Sequence, residues 1–173
     1  RFKSMNILVT GGAGFIGSHL CELLISKKNI KKIVIIDNLK DGEKKNLKHI
    51  IKSKKIFLYK KDINFLESLN KYFKNIDVVI HLAALSDIVP SIDNPTNYMK
   101  TNIIGTMNVL EAMRKNNVKK IVYASSSSCY GVPKNYPTSE NEIIDTKYPY
   151  SFSKNIGEQV VQHWSKVYKI NYI

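Results

Sequence analysis

A chain of 173 residues with 43% apolar side chains can bury one core and is too short for two full domains. Its formal charge of +13 would suit a polyanion, but the excess is scattered lysine and only Arg1 and Arg114 are arginine, so nucleic-acid recognition is not expected. No apolar run nears the roughly 20 residues that a membrane span requires, and no secretory h-region is visible, so a cytoplasmic protein is expected.

Residues 1–4 carry no pattern ahead of the first methionine and read as a cloning remnant, with Met5 as the native start. Residues 5–10 form an apolar strand, a glycine-rich turn follows, and 14–27 have helical spacing. Strands are predicted at 32–37 and 55–60, with lysine dense between them, then a helix at 65–73 and a strand at 77–81. A helix over 95–116 opens on Pro95, and a strand at 120–125 ends in a run of serines. Residues 131–146, with Pro133 and Pro137, read as a long surface loop. A helix over 149–168 opens on Pro149 and aligns Phe152, Ile156, Val160, Trp164 and Val167 on one apolar face, a core or interface face. Residues 170–173 look like the start of a sixth strand.

Short apolar strands alternating with amphipathic helices predict an α/β, Rossmann-like doubly wound parallel sheet with helices on both faces. Cys21 and Cys129 lie far apart and read as small buried thiols. His19, His49, His81 and His163 form no ligand grouping, so no metal is expected.

The turn after the first strand contains Gly11, Gly12, Gly14 and Gly17 in overlapping GxGxxG and TGxxGxxG patterns. Such a turn lets a pyrophosphate approach the backbone and leaves it at the positive end of a helix. Asp37 ends the second strand 20 residues after Gly17, where a carboxylate accepts ribose hydroxyls and repels a 2′-phosphate. NAD is therefore expected over NADP.

Tyr150 and Lys154 are four residues apart on the last predicted helix and share one face. An ammonium beside a phenol favours the phenolate and makes tyrosine a usable base. Tyr130 and Lys134 share that spacing, but Gly131 and Pro133 between them disfavour a helix. The hydroxyls of 125–128 fall at the carboxyl end of a strand, where ligands of open α/β sheets bind.

The ordered set Thr10-Gly11-Gly12-Ala13-Gly14-Phe15-Ile16-Gly17-Ser18, Asp37-Asn38-Leu39, Asp62-Ile63, His81-Leu82-Ala83-Ala84, Asn102, Ser125 to Gly131 and Tyr150 to Lys154 resembles the extended short-chain dehydrogenase/reductases acting on nucleotide sugars. The resemblance implies that Gly11, Gly14, Phe15, Ile16, Gly17, Asp37, Asn38, Leu82, Ala83 and Ala84 line an NAD site. Asp62 and Ile63 would meet the adenine, and Asn102 would hold the active-site helix or the cofactor. It further implies Ser126 and Tyr150 as catalytic groups on the sugar, Lys154 on the nicotinamide ribose, and Ser86 and Ser127 as substrate contacts. The 4,6-dehydratases of this family carry Thr-Asp-Glu where this chain has Ser126-Ser127-Ser128, which points to a UDP-sugar 4-epimerase. Val89-Pro90-Ser91-Ile92 resembles the substrate-side loop of epimerases for hexosamine and uronate sugars. Another nucleotide-sugar enzyme (dehydratase, decarboxylase or reductase) and a non-catalytic NAD-binding sensor are the alternatives. Family members are about twice as long, so a chain cut before its substrate domain and possessing no activity alone is an expectation, as is a homodimer through the helices at 95–116 and 149–168.

Overall fold

The structure, a computed structural model, describes residues 4–173; Arg1, Phe2 and Lys3 of the suspected remnant lie outside the described residues. Six strands, β1 (Met5–Thr10), β2 (Ile30–Asp37), β3 (Ile56–Lys60), β4 (Val78–His81), β5 (Lys120–Tyr123) and β6 (Asn171–Tyr172), form one sheet in the order β3-β2-β1-β4-β5-β6. Every neighbouring pair is parallel.

Side chains alternate across this sheet, so each central strand supplies two cores. Ile7, Val9, Ile33 and Ile35 face α1 (Phe15–Ile25), with Cys21 and Leu47 filling the same layer. Leu8, Val34, Ile36, Val79 and Ile121 face the opposite layer, which holds Leu69 of α2 (Leu66–Leu69) and residues of α5 (Gly105–Lys115) and α6 (Pro149–Tyr168). Coverage on both faces explains why the strands are nearly continuous apolar runs, and it is the doubly wound arrangement expected. Cys21 and Cys129 are both buried and unpaired, as the sequence suggests. Among the described residues no helix is long and apolar enough to cross a membrane.

Four departures from the sequence reading matter. The helix expected over 95–116 begins as α4 (Pro95–Tyr98), passes through a π-helical segment, Met99–Ile104, and continues as α5. The helix expected at 65–73 is α2 followed by a 3₁₀ turn, Asn70–Phe73. The segment likened to a loop around Pro90 is a short helix, α3 (Ile88–Asp93), with the proline in its first turn, where the ring costs no hydrogen bond. The fifth strand stops at Tyr123, and the serines beyond it enter a 3₁₀ turn, Ser127–Tyr130.

The apolar stripe of α6 does not form its most buried face. Phe152 and Val167 are exposed, and only Val160 and Trp164 of the stripe pack against the core. Ser151, Ser153, Lys154, Gly157 and Val161 are the buried residues.

Candidate active site

Strand order reverses between β1 and β4, so their carboxyl ends frame a crevice. Gly11 leaves β1 with φ 69°, and a Cβ there would stand 2.7 Å from the Ala83 nitrogen on the chain leaving β4. A Cβ on Gly17 would come 2.6 Å from the Gly12 Cα. Only glycine permits this close packing of turn, helix and strand. Gly14 precedes α1 without a side-chain cap, leaving first-turn N–H groups without intrahelical acceptors beside Phe15, 80% exposed, and Ile16, 69% exposed.

Asp37 is buried at the end of β2, and both of its oxygens are engaged: Oδ2 accepts the Ala13 N–H at 2.9 Å and Oδ1 the Leu39 N–H at 2.8 Å. The carboxylate thereby ties the glycine turn to the chain after β2. The Ala13 carbonyl accepts the Glu43 N–H at 3.1 Å and Asn46 Nδ2 at 2.9 Å, which fastens the following segment as well. Asn38 Nδ2 donates to Asp62 Oδ2 at 3.4 Å, so two of the residues expected to hold NAD lie together. Ile63 turns its side chain into the core, where a Cβ on Gly105 would come within 2.6 Å of its Cδ1.

Behind the crevice runs a buried polar chain that sequence reading did not pick out. Thr106 Oγ1 donates to the Asn102 carbonyl at 2.7 Å, so it accepts from His81 Nε2–H at 3.0 Å. His81 Nδ1 is then the acceptor for the Thr10 hydroxyl at 2.6 Å, and Thr10 Oγ1 accepts the Ala83 N–H at 3.2 Å. Burial, helped by the charge of Lys154, pushes His81 down to about 3, in keeping with this neutral tautomer. The His-Leu-Ala-Ala string was visible in the sequence; the two threonines that fix the ring come from β1 and α5, and nothing along the chain links them to it.

Asn102 sits in the π-helical segment and is buried. Its Oδ1 accepts the Leu85 N–H at 2.9 Å, while Nδ2 donates to the Leu85 carbonyl at 3.0 Å and to Ser153 Oγ at 2.9 Å. Ser153 Oγ in turn donates to the Tyr150 carbonyl at 2.7 Å. One side chain thus joins the segment after β4 to the start of α6, and the irregular turn sits where it is needed.

Tyr150 is half-buried in the first turn of α6, its ring edge-on to Tyr98 with centroids 6.3 Å apart. Lys154 is buried one turn later, with its ammonium 4.4 Å from the centre of the Tyr123 ring. Burial pushes Lys154 down to about 8, opposed by Cys129 and Glu158. Gly157 gives Tyr123 room, since a Cβ there would strike its hydroxyl, which donates to the Lys154 carbonyl at 3.3 Å. Ser126 caps the 3₁₀ turn, its Oγ accepting the Ser128 N–H at 3.2 Å and lying 2.8 Å from Ser128 Oγ. Ser127 and Ser86 are exposed, on the turn after β5 and the segment after β4. Gly131 and Pro133 stand in irregular chain, so Tyr130 and Lys134 share no helix.

Residues 8–173 match the family model described as GDP-mannose 4,6 dehydratase. A Methanocaldococcus jannaschii protein is 41% identical over 167 residues, 96% of this chain and 53% of that one. UDP-glucose 4-epimerase of Bacillus subtilis is 38% identical over 162 residues, covering 91% of this chain and 47% of its own. Among solved structures, UDP-N-acetylglucosamine 4-epimerase from Methanobrevibacter ruminantium superposes with a TM-score of 0.90 at 35% identity, over 98% of this chain and 53% of that one. The dTDP-glucose 4,6-dehydratase DesIV of Streptomyces venezuelae, solved with NAD, superposes with a TM-score of 0.92 at 26% identity, over 97% and 54%. This chain spans about half the length of the relatives it matches.

Proposed function

The chain belongs to the extended short-chain dehydrogenase/reductases, in the NAD-dependent epimerase/dehydratase family, and on that premise we propose that residues 5–173 are the dinucleotide-binding domain of a nucleotide-sugar 4-epimerase. The observation that carries the reading is the pairing, on one helix face, of half-buried Tyr150 with buried Lys154, tied through Ser153 and Asn102 to the crevice between β1 and β4.

The crevice suits NAD on its own geometry. A Cβ on Gly11 or Gly17 would fill the turn that a diphosphate must approach, and the free N–H groups of α1 favour negative charge there. Asp37 keeps acceptor capacity for ribose hydroxyls while its charge opposes a 2′-phosphate. Asn38, Asp62 and the backbone at Ile63 would hold the adenosine half, and Leu82, Ala83 and Ala84 the nicotinamide half. Bound NAD supplies a reversible two-electron oxidation.

Tyr150 takes the proton of the sugar 4-hydroxyl, and the Lys154 ammonium stabilises the phenolate while reaching the ribose. Ser126 donates to the same sugar oxygen, and Ser86 and Ser127 lie on the substrate side. UDP-hexoses, UDP-N-acetylhexosamines and UDP-uronates are the proposed substrates, acted on by a homodimer in the cytoplasm. The family model's description and the DesIV likeness favour a second reading, a 4,6-dehydratase. Against it, Ser126-Ser127-Ser128 supply no carboxyl group to drive elimination.

Incubating the full-length gene product with UDP-glucose, UDP-N-acetylglucosamine and UDP-glucuronate, then resolving the products, tests the proposal. A C4 stereoisomer of at least one is expected. Absence of any stereoisomer removes the epimerase reading, and a 4-keto-6-deoxy product from a hexose substrate replaces it with the dehydratase.

A further inference from the structure

One short hydrogen bond beside the proposed chemistry has no part in it. Ser125 lies between the end of β5 and Ser126, and its hydroxyl donates to Glu158 Oε2 at 2.7 Å. Glu158 stands on α6 one turn beyond Lys154 and two beyond Tyr150, on the same face, and its Oε1 accepts Gln162 Nε2 at 3.3 Å. The segment from Tyr123 to Tyr130 meets α6 through two longer bonds, Tyr123 hydroxyl to the Lys154 carbonyl at 3.3 Å and Cys129 Sγ to the Ser151 carbonyl at 3.5 Å. Ser125 to Glu158 is the shortest of the three among the described residues, and the one assisted by charge. Ser125 is exposed, so the bond adds little to stability. Its consequence is geometric, because it sets how the turn carrying Ser126 sits against the helix carrying Tyr150.

The same carboxylate has an electrostatic consequence. Facing the Lys154 ammonium are Tyr123 from β5, Cys129 from the following turn, His81 from β4, and Glu158 from α6 itself. Burial pushes Tyr123 and Cys129 up and His81 down, so these three are uncharged at neutral pH. Cys129 precedes Glu158 among the groups that hold Lys154 up, but only as a thiolate, and burial keeps it a thiol. Glu158 is the carboxylate left to balance the ammonium.

We infer that Glu158 is a positioning residue: it ties the end of β5, and with it Ser126, to the helix bearing Tyr150 and Lys154, and it keeps the buried ammonium charged. The inference rests on the proposed roles of Ser126, Tyr150 and Lys154.

The test uses Ser125→Ala, Glu158→Ala and Glu158→Gln in the full-length protein, with two readouts. One is kcat and KM for the epimerised sugar across pH. The other is the titration of Lys154 followed by NMR in lysine-labelled protein, assigned with Lys154→Arg. Ser125→Ala and Glu158→Ala should each lower kcat on the order of tenfold with KM little changed, and the double variant should be no worse, since both remove one link. Glu158→Gln keeps an acceptor and should rescue kcat at about pH 6, where the ammonium stays charged even with a lowered midpoint. It should also lower the Lys154 midpoint by about one pH unit and bring the alkaline limb of kcat down with it, whereas Ser125→Ala leaves the midpoint in place.

Unchanged kcat in both alanine variants, in a protein whose activity is lost on Tyr150→Phe, overturns the positioning role. An unmoved Lys154 midpoint in Glu158→Gln overturns the inference whether or not the protein is active. A parent without epimerase activity refutes the proposed function instead, and the lysine titration then decides this inference alone.

Discussion

Replacing Gly11 with alanine should cost stability and dinucleotide affinity together. The residue holds φ 69°, a conformation that charges an L side chain about 1–2 kcal/mol. Its new methyl group would lie 2.7 Å from the Ala83 nitrogen and 2.9 Å from the Ala83 Cα. Both atoms are backbone at the exit of β4, so no rotamer change relieves the contact, and overpacking of this kind costs about 1–3 kcal/mol. The sum, about 2–5 kcal/mol, corresponds to roughly 5–20 °C in the unfolding midpoint for a chain of this size. Relief by separating the ends of β1 and β4 opens the crevice where the diphosphate is proposed to sit, so NAD affinity should fall as well. Gly14→Ala is the control for stability alone: its Cβ would meet only the Gly11 carbonyl, at 3.3 Å, and at a negative φ, so its melting point should stay near the parent's. Thermal unfolding by circular dichroism and NAD titration by calorimetry measure both effects. A Gly11→Ala protein melting within about 2 °C of the parent and binding NAD within about twofold would refute the reasoning.

Asp37→Asn must turn its amide NH₂ toward either the Ala13 or the Leu39 N–H, so it should loosen the glycine turn and weaken NAD binding about tenfold while narrowing the preference over NADP; calorimetry with both cofactors checks this. Asn102→Ala removes its bonds to both backbone groups of Leu85 and to Ser153, and should cost about 2–4 kcal/mol and speed hydrogen exchange at the Leu85 amide. Lys154→Met should abolish activity yet stabilise the fold at pH 7. The ammonium falls from 10.5 to about 8 on folding, so the unfolded chain binds more protons between those values and stability rises with pH across that window. The whole penalty, about 3 kcal/mol, is present below pH 8 and absent above 10.5, and urea unfolding at pH 7 and pH 10.5 should show the parent, but not the variant, gaining stability at the higher pH.

Strands were the most legible elements because the doubly covered sheet demands continuous apolar runs. β1 ends where the pattern does, and the other principal strands agree within about two residues at each end. The helix at 149–168 was legible in full because Pro149 marks its start and amphipathic spacing persists to Tyr168. Its orientation was not. The face against β5 must let Tyr123 and Asn102 approach, which calls for Ser151, Ser153 and Gly157, and small residues leave no mark in a hydrophobic period.

The candidate site divides in the same way. By itself the sequence determined what rests on local chemistry: the glycine turn, the acid at the end of β2, the Tyr-Lys spacing and the serines after β5, because each is a short string whose function depends on its own composition. Tertiary structure alone decided what depends on residues far apart. The Thr10-His81-Thr106 chain fixes a ring tautomer, Asn102 bridges Leu85 and Ser153 from an irregular helical turn, and Ser125 meets Glu158. Hydrogen bonds of that kind form only after the sheet has brought their partners to one end, and no spacing along the chain records them.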